Sequence, residues 1–333
     1  MIKVFFISSE SNNSFGVNQV LISLKTFLGK KCIISSSKNF YNFFKSKYNI
    51  IHIHGCWSLS IFFYFLLSKA INVKVIISPH GMLDPYSLNQ KRFIKLIFWH
   101  LLQKYIFKYS NQIIVNSLNE KRNILQIIKH PSVVIIPHGI KLDKTVKKKI
   151  IYNNKNLKFV FFSRIHHVKN LDKLIDIWTN NNDFKNFHLS LYGEISNYKY
   201  FNLIKNKILK YKNIKYHGPL NKNKVKILSK YDVFIFPSKS ENFGLVVLEA
   251  LAAGLYVILN KKLPWKDIAN KGFATLIDFN NNSLLSVVRK LNKSRNKLRN
   301  YNYLKNTHIH LNKNYNWHNI SNLYLLNYKK NLK

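Results

Sequence analysis

Acidic residues are scarce in this sequence: 13 Asp and Glu stand against 54 Lys and Arg in 333 residues, a formal charge of +41. An anionic partner is therefore expected, and acidic lipid, nucleotide phosphate and nucleic acid are the classes to weigh. The cations are spread from end to end and no nucleic-acid-binding module is visible, which sets nucleic acid aside. Two cysteines, Cys32 and Cys56, cannot make a disulfide framework and lack metal-ligand spacing, so a reducing cytoplasm and no bound metal are expected. The absence of a P-loop and of G-x-G-x-x-G removes support for an NTPase or a dinucleotide-dependent dehydrogenase. No leader of the basic-apolar-small type opens the chain, since Met1 runs straight into IKVFFIS. The longest apolar block, Leu59 to Leu67, is far short of the roughly 20 residues that a membrane-spanning helix needs. A cytoplasmic protein, at most peripheral on the inner face of the membrane, is the expectation.

What remains is rich in core-forming residues. Hydrophobic side chains make up 47% of the chain, which excludes a disordered polymer and suffices for two domains or one large one. Short apolar runs alternate with helical patterns, the signature of doubly wound α/β sheets. Strands are predicted at 2–8, 31–35, 49–54, 73–80, 112–117 and 132–138, then at 158–164, 187–193, 213–218, 233–238, 256–260 and 274–278. Glycine is rare, 10 in all, yet Gly55, Gly81, Gly139, Gly193 and Gly218 each close one of these runs. Ligands of open α/β sheets bind beyond the carboxyl ends of strands, so these positions draw attention. A lysine-rich stretch without periodicity, 141–156, is the predicted domain boundary. The expected architecture is two Rossmann-like domains facing across a cleft, 1–150 and 151–316.

The sharpest signal is FPSKSENFGLVVLEALAAG, residues 236–254. It reads as the end of a buried strand, a polar loop, and a helix that stops at Gly254. Two of the few carboxylates, Glu241 and Glu249, lie here with seven residues between them and Gly244 in the middle. Free amides and the positive dipole end at a helix start seat phosphate, and Gly244 lets a ligand come close to the backbone. A phosphate flanked by hydroxyl-rich groups fits between two such acids, as in a nucleotide sugar. Upstream, SRIHHVKN places Arg164, one of six arginines, at a strand end with Lys169 five residues on. A guanidinium and an ammonium there can hold diphosphate oxygens and stabilise charge on a departing nucleotide.

The Glu241-x7-Glu249 run resembles the signature of family 4 glycosyltransferases, retaining enzymes of the GT-B fold, in which a last helix, here expected at about 317–333, crosses back to the first domain. The resemblance implies that Glu249 binds the ribose hydroxyls and that Glu241 meets the transferred sugar beside the amides of Phe243, Gly244 and Leu245. It gives Arg164 and Lys169 the diphosphate, with no cofactor and no metal. The stretch ISPHGMLDPYSLNQKRFIKLIFWH resembles the acceptor-side loop and helix of bacterial polysaccharide-building members, which puts His80 next to the anomeric carbon; Asp84 either accompanies it there or caps the turn before Pro85. His54 and Trp57 either line the acceptor pocket or are packing. The first loop, SSESNNSFGVNQ, keeps Gly16 but has Phe15 where the family carries a second glycine. Asn170 stands where the family usually has glycine after the lysine, and His138 stands where it often has asparagine. The implied activity is transfer of a sugar from a nucleotide diphosphate to a lipid-linked glycan acceptor in surface polysaccharide biosynthesis. The alternative is a catalytically weakened homologue that binds nucleotide sugar or a membrane surface.

The pattern from Leu88 to Tyr109 predicts one long basic amphipathic helix. Either it lies on an anionic membrane or it is a core helix with solvated lysines. Trp265 similarly resembles a family loop near the donor base, or packs.

Overall fold

The computed structural model describes residues 2–8, 15–29, 32–35, 47–142, 156–220 and 223–333. Most of the expected boundary at 141–156 lies outside the described residues, as does the side chain of Phe15. Backbone contacts divide the chain into one unit of 1–139 with 315–333 and a second of 140–314.

Each unit is built on a six-stranded parallel sheet. In the first, the strands are β1 (Ile2–Ser8), β2 (Cys32–Ser35), β3 (Ile50–His54), β4 (Lys74–Ser78), β5 (Gln112–Val115) and β6 (Val133–Ile135), in the order β2-β1-β3-β4-β5-β6. In the second they are β7 (Lys158–Phe162), β8 (His188–Tyr192), β9 (Ile214–Tyr216), β10 (Val233–Phe236), β11 (Tyr256–Asn260) and β12 (Ala274–Ile277), in the order β12-β11-β10-β7-β8-β9. The sequence makes these strands because parallel sheets are covered on both faces, so apolar runs such as Val4–Ile7 and Val233–Phe236 are buried throughout. Burying each such side chain contributes about 1.5–3 kcal/mol.

Strand order fixes where ligands can go. In the first sheet the chain runs from β1 out to β2 and returns on the other side at β3, with Ser8 opposite His54 in register. In the second it runs from β7 to β8 and β9 and returns at β10. These reversals between β1 and β3 and between β7 and β10 leave crevices at the strands' carboxyl ends.

The helix Trp317–Leu332 belongs to the first unit. Tyr324 and Tyr328 are wholly buried, and the Tyr328 hydroxyl lies 2.8 Å from His52 Nδ1. Trp317 stacks on Phe27 and closes over Gly139, where a Cβ would come within 2.6 Å of the indole. Asn331 Nδ2 donates to Gln112 Oε1 at 3.2 Å.

The single helix expected over 88–109 is corrected. The chain forms Pro85–Asn89, then Arg92–Phe98, a π turn at Trp99–Gln103, and Lys104–Tyr109. The break falls at Lys91, whose left-handed backbone (φ 54°) ends one run and starts the next. Trp99, Gln103, Ile106 and Phe107 are buried, whereas Arg92–Phe98 buries nothing, so a core role fails for that piece.

Candidate functional site

The segments that follow β7 and β10 carry the acids and cations singled out in the second half. Beyond β7 the chain passes the exposed Arg164 and makes one 3-10 turn, His167–Lys169. Asn170 then takes a left-handed conformation (φ 56°) as it opens the helix Leu171–Thr179. That conformation explains the residue type, since asparagine is the side chain that best replaces glycine there. Asn170 Nδ2 donates to the Pro237 carbonyl at 3.3 Å, and Lys239 N donates to the Val168 carbonyl at 2.9 Å. The loops after β7 and β10 are thereby fastened to each other. Across this junction the Lys169 ammonium donates to Glu241 Oε1, which also accepts the Ser238 hydroxyl at 2.7 Å. The two side chains are 13% and 12% exposed, so the pair is oriented rather than mobile in solvent.

Gly244 stands at the start of the helix Leu245–Ala252 with φ 81°, a conformation that suits glycine. Only ordinary contacts surround it: a Cβ there would meet Glu241 Cγ and Trp265 Nε1 at 3.6 Å. Phe243 is buried against the Trp265 ring, centroids 5.0 Å apart, which fixes the loop and gives Trp265 a packing role. Val247, Leu248, Ala250 and Leu251 bury the helix, and Gly254 (φ 76°) ends it. Glu249 lies about one and a half turns in, and Lys224 Nζ is 3.3 Å from its Oε1. Burial pushes the Glu249 carboxyl above the usual carboxylate range, and Lys224 opposes that shift. Chemically, the arrangement offers amides and a helix dipole to phosphate, a carboxylate on either side to hydroxyls, and Arg164 and Lys169 as cations.

A second constellation forms at the carboxyl ends of β3 and β4 in the first unit. His52 and His54 share one face of β3, as alternate residues must. His54 Nδ1 is 2.9 Å from His80 Nε2, and His52 Nε2 is 2.8 Å from the Ser78 hydroxyl. The His80 ring stacks between His54 (5.2 Å) and His138 (5.6 Å). Burial, the first cause for each, holds all four imidazoles below their ordinary pKa, His80 at about 4, so the stack is neutral at physiological pH. His80 and Trp57 both have positive φ (52° and 66°), a costly conformation for such side chains. Glu120 helps to hold it: its Oε1 accepts Gly81 N at 2.6 Å and its Oε2 accepts Asn116 N at 2.7 Å. Asp84, buried, accepts Asn123 Nδ2 at 2.9 Å and so ties its loop to the helix Leu118–Ile127. Gly16 sits exposed in the first turn of the helix Phe15–Leu28, with no atom of the described residues within 4 Å of a Cβ.

Lys169 and Glu241 thus meet where the loops after β7 and β10 join, Phe243 and Gly244 continue the second loop, Leu245 and Glu249 lie on the helix it opens, Arg164 is exposed just beyond β7, and His54 and His80 touch. Sequence reading missed Lys224, Ser238, Glu120, His52 and the packing of His138 on His80.

Two doubly wound parallel-sheet domains are the architecture of the GT-B class. Residues 143–325 match the family described as Glycosyl transferases group 1, and residues 6–144 match Glycosyltransferase Family 4. The chain belongs to the group 1 glycosyltransferases. It is 28% identical over 275 residues to an uncharacterized glycosyltransferase of Methanocaldococcus jannaschii, covering 78% of this chain and 69% of the relative. It is 23% identical over 250 residues to an uncharacterized 41.2 kDa protein in a cps region of Klebsiella pneumoniae, covering 70% of this chain and 65% of that one. Among solved structures, Anabaena HepE in complex with UDP and glucose superposes with a TM-score of 0.76 at 14% identity, over 99% of this chain and all (100%) of HepE, a likeness of fold.

Proposed function

We propose that this glycosyltransferase moves a hexosyl group from a nucleotide-diphosphate sugar, with retention of configuration, to a lipid-linked glycan acceptor on the cytoplasmic side of a membrane. The observation that carries the donor half is the pair of lysine-held carboxylates, Glu241 and Glu249, on either side of Gly244 at the β7/β10 crevice. In this reading Glu249 accepts from the ribose hydroxyls. The amides of Phe243, Gly244 and Leu245 hold phosphate and sugar oxygens, and Glu241 contacts the transferred sugar. Arg164 and Lys169 neutralise the departing diphosphate, so no metal or cofactor is assigned. His80, neutral and conformationally held, is assigned to the anomeric carbon, where its ring or carbonyl supports developing positive charge. Gly16, His54 and Asp84 are assigned to the acceptor side.

Retention and a polysaccharide role rest on the family signature and on the Klebsiella relative's place in a cps region. The UDP bound by HepE makes UDP-glucose the first donor to try. Calorimetric titration with a panel of nucleotide sugars, followed by transfer to lipid extracts and NMR of the product anomer, tests the reading. Glu249→Ala is expected to weaken donor binding at least tenfold, and chelation by EDTA to leave transfer unchanged. Wild-type binding by Glu249→Ala would remove the ribose assignment. Donor binding without hydrolysis or transfer would make the chain a nucleotide-sugar binding protein instead.

A further inference from the structure

Residues 85–119 contain five Lys and Arg and no Asp or Glu. Within them, the helix Arg92–Phe98 and the π turn after it present apolar side chains to solvent: Phe93 is 82% exposed, Ile94 66%, Ile97 61% and Leu101 65%. Soluble proteins rarely leave a contiguous run of this kind uncovered. The segment is nonetheless fixed, because Trp99, Gln103, Ile106 and Phe107 are buried behind it and Lys95 turns back onto the Ser87 carbonyl. Lys91, Arg92, Lys104 and Lys108 are exposed on the same stretch.

Charge decides what can cover this surface. A second copy of the chain would set these cations against their like, which disfavours an isologous interface. An anionic bilayer supplies both the apolar boundary and the opposite charge. No described helix is long and apolar enough to cross a membrane, so the contact would lie in the plane of the surface. We propose that residues 91–108 dock on anionic lipid, with Phe93, Ile94, Ile97 and Leu101 at the headgroup–acyl boundary and Lys91, Arg92, Lys104 and Lys108 against lipid phosphates. The segment follows His80 through Asp84 and Pro85, so bilayer contact and the acceptor-side loop share one stretch of chain. The inference goes beyond the donor reading and stands without it.

Co-sedimentation of the full chain with phosphatidylcholine vesicles, with and without phosphatidylglycerol, tests the proposal. Binding is expected only with phosphatidylglycerol. Phe93→Ser/Ile97→Ser should reduce it at least tenfold, and alanine at Lys91, Arg92, Lys104 and Lys108 by about fivefold per cation. Thermal unfolding serves as the control for folding. Alanine at Lys199, Lys205 and Lys210, exposed cations of the second unit, should leave binding within twofold. The proposal is overturned if the wild type binds neither vesicle, if Phe93→Ser/Ile97→Ser binds as well as wild type, or if the second-unit alanines weaken binding equally through overall charge. A shift from dimer to monomer on Phe93→Ser/Ile97→Ser would also overturn it, by making the face a self-interface.

Discussion

Lys224→Met is the substitution that most directly examines how the site keeps its second glutamate usable. Lys224 Nζ lies 3.3 Å from Glu249 Oε1 and reaches over the Phe162 ring, 5.4 Å from its centroid. Methionine keeps the apolar stem and removes the charge. Two unit charges 3.3 Å apart attract by ~5 kcal/mol at an effective dielectric of about 20. Side-chain exposures of 27% and 25% admit water, which lowers the effective coupling to about 1–2 kcal/mol. Burial already raises the Glu249 carboxyl, so losing Lys224 raises it further, toward neutrality. A protonated Glu249 accepts ribose hydroxyls poorly. Calorimetry with UDP-glucose, whose diphosphate does not titrate near neutrality, should show affinity falling on acidification from pH 8 to pH 5, with the fall setting in at a higher pH for Lys224→Met than for wild type. Glu249→Gln should bind weakly without slope across that range. Equal affinity of Lys224→Met and wild type at every pH would refute the argument, and a uniform loss at every pH would mean that Lys224 does not act through Glu249.

Other outcomes follow from the same geometry. Gly244→Ala meets no atom closer than 3.6 Å, so it should cost only about 1 kcal/mol of stability from its positive φ while lowering UDP-glucose affinity at least tenfold; unchanged affinity would mean that no ligand approaches that backbone. Arg299 binds the buried Asp232 through Nε at 3.0 Å and Nη2 at 2.9 Å. Arg299→Met should therefore destabilise by about 3–5 kcal/mol in urea, and a loss below about 1 kcal/mol would show the pair to be dispensable. His52, His54, His80 and His138 have folded pKa values below the unfolded value of about 6.5, so the unfolded chain takes up protons first as pH falls. Stability of the first unit is then full above about pH 6.5 and is lost toward pH 4, by up to about 1.4 kcal/mol per pH unit for each ring. Hydrogen exchange of β3 and β4 that stays flat between pH 7 and pH 5 would contradict this.

All twelve expected strands are present, because buried parallel strands are written as unbroken apolar runs, and a rare glycine marks several of their ends. Glu241 and Glu249 were legible for a related reason, as acids in a chain almost without them. Lys224 was not, since nothing in its spacing sets it apart from 54 cations and its partner lies 25 residues on. Glu120 was half legible. Ser117-x-x-Glu120 is a capping box, and Ser117 Oγ does accept Glu120 N at 3.1 Å, but the reach to Gly81 spans 39 residues and no local pattern carries it. The break at Lys91 escaped notice because apolar periodicity runs straight through it, whereas a left-handed lysine leaves no compositional trace.

The return of Trp317–Leu332 to the first unit has a consequence for biosynthesis. The hydroxyl that His52 requires is delivered by Tyr328, 276 residues downstream, so the domain begun first is completed last. Residues 140–314, an uninterrupted stretch, can collapse on the ribosome while their predecessor still lacks a wall. A stalled or clipped nascent chain would therefore expose the aromatic and imidazole interior of its amino-terminal half, and it is that half which chaperones and proteases would meet.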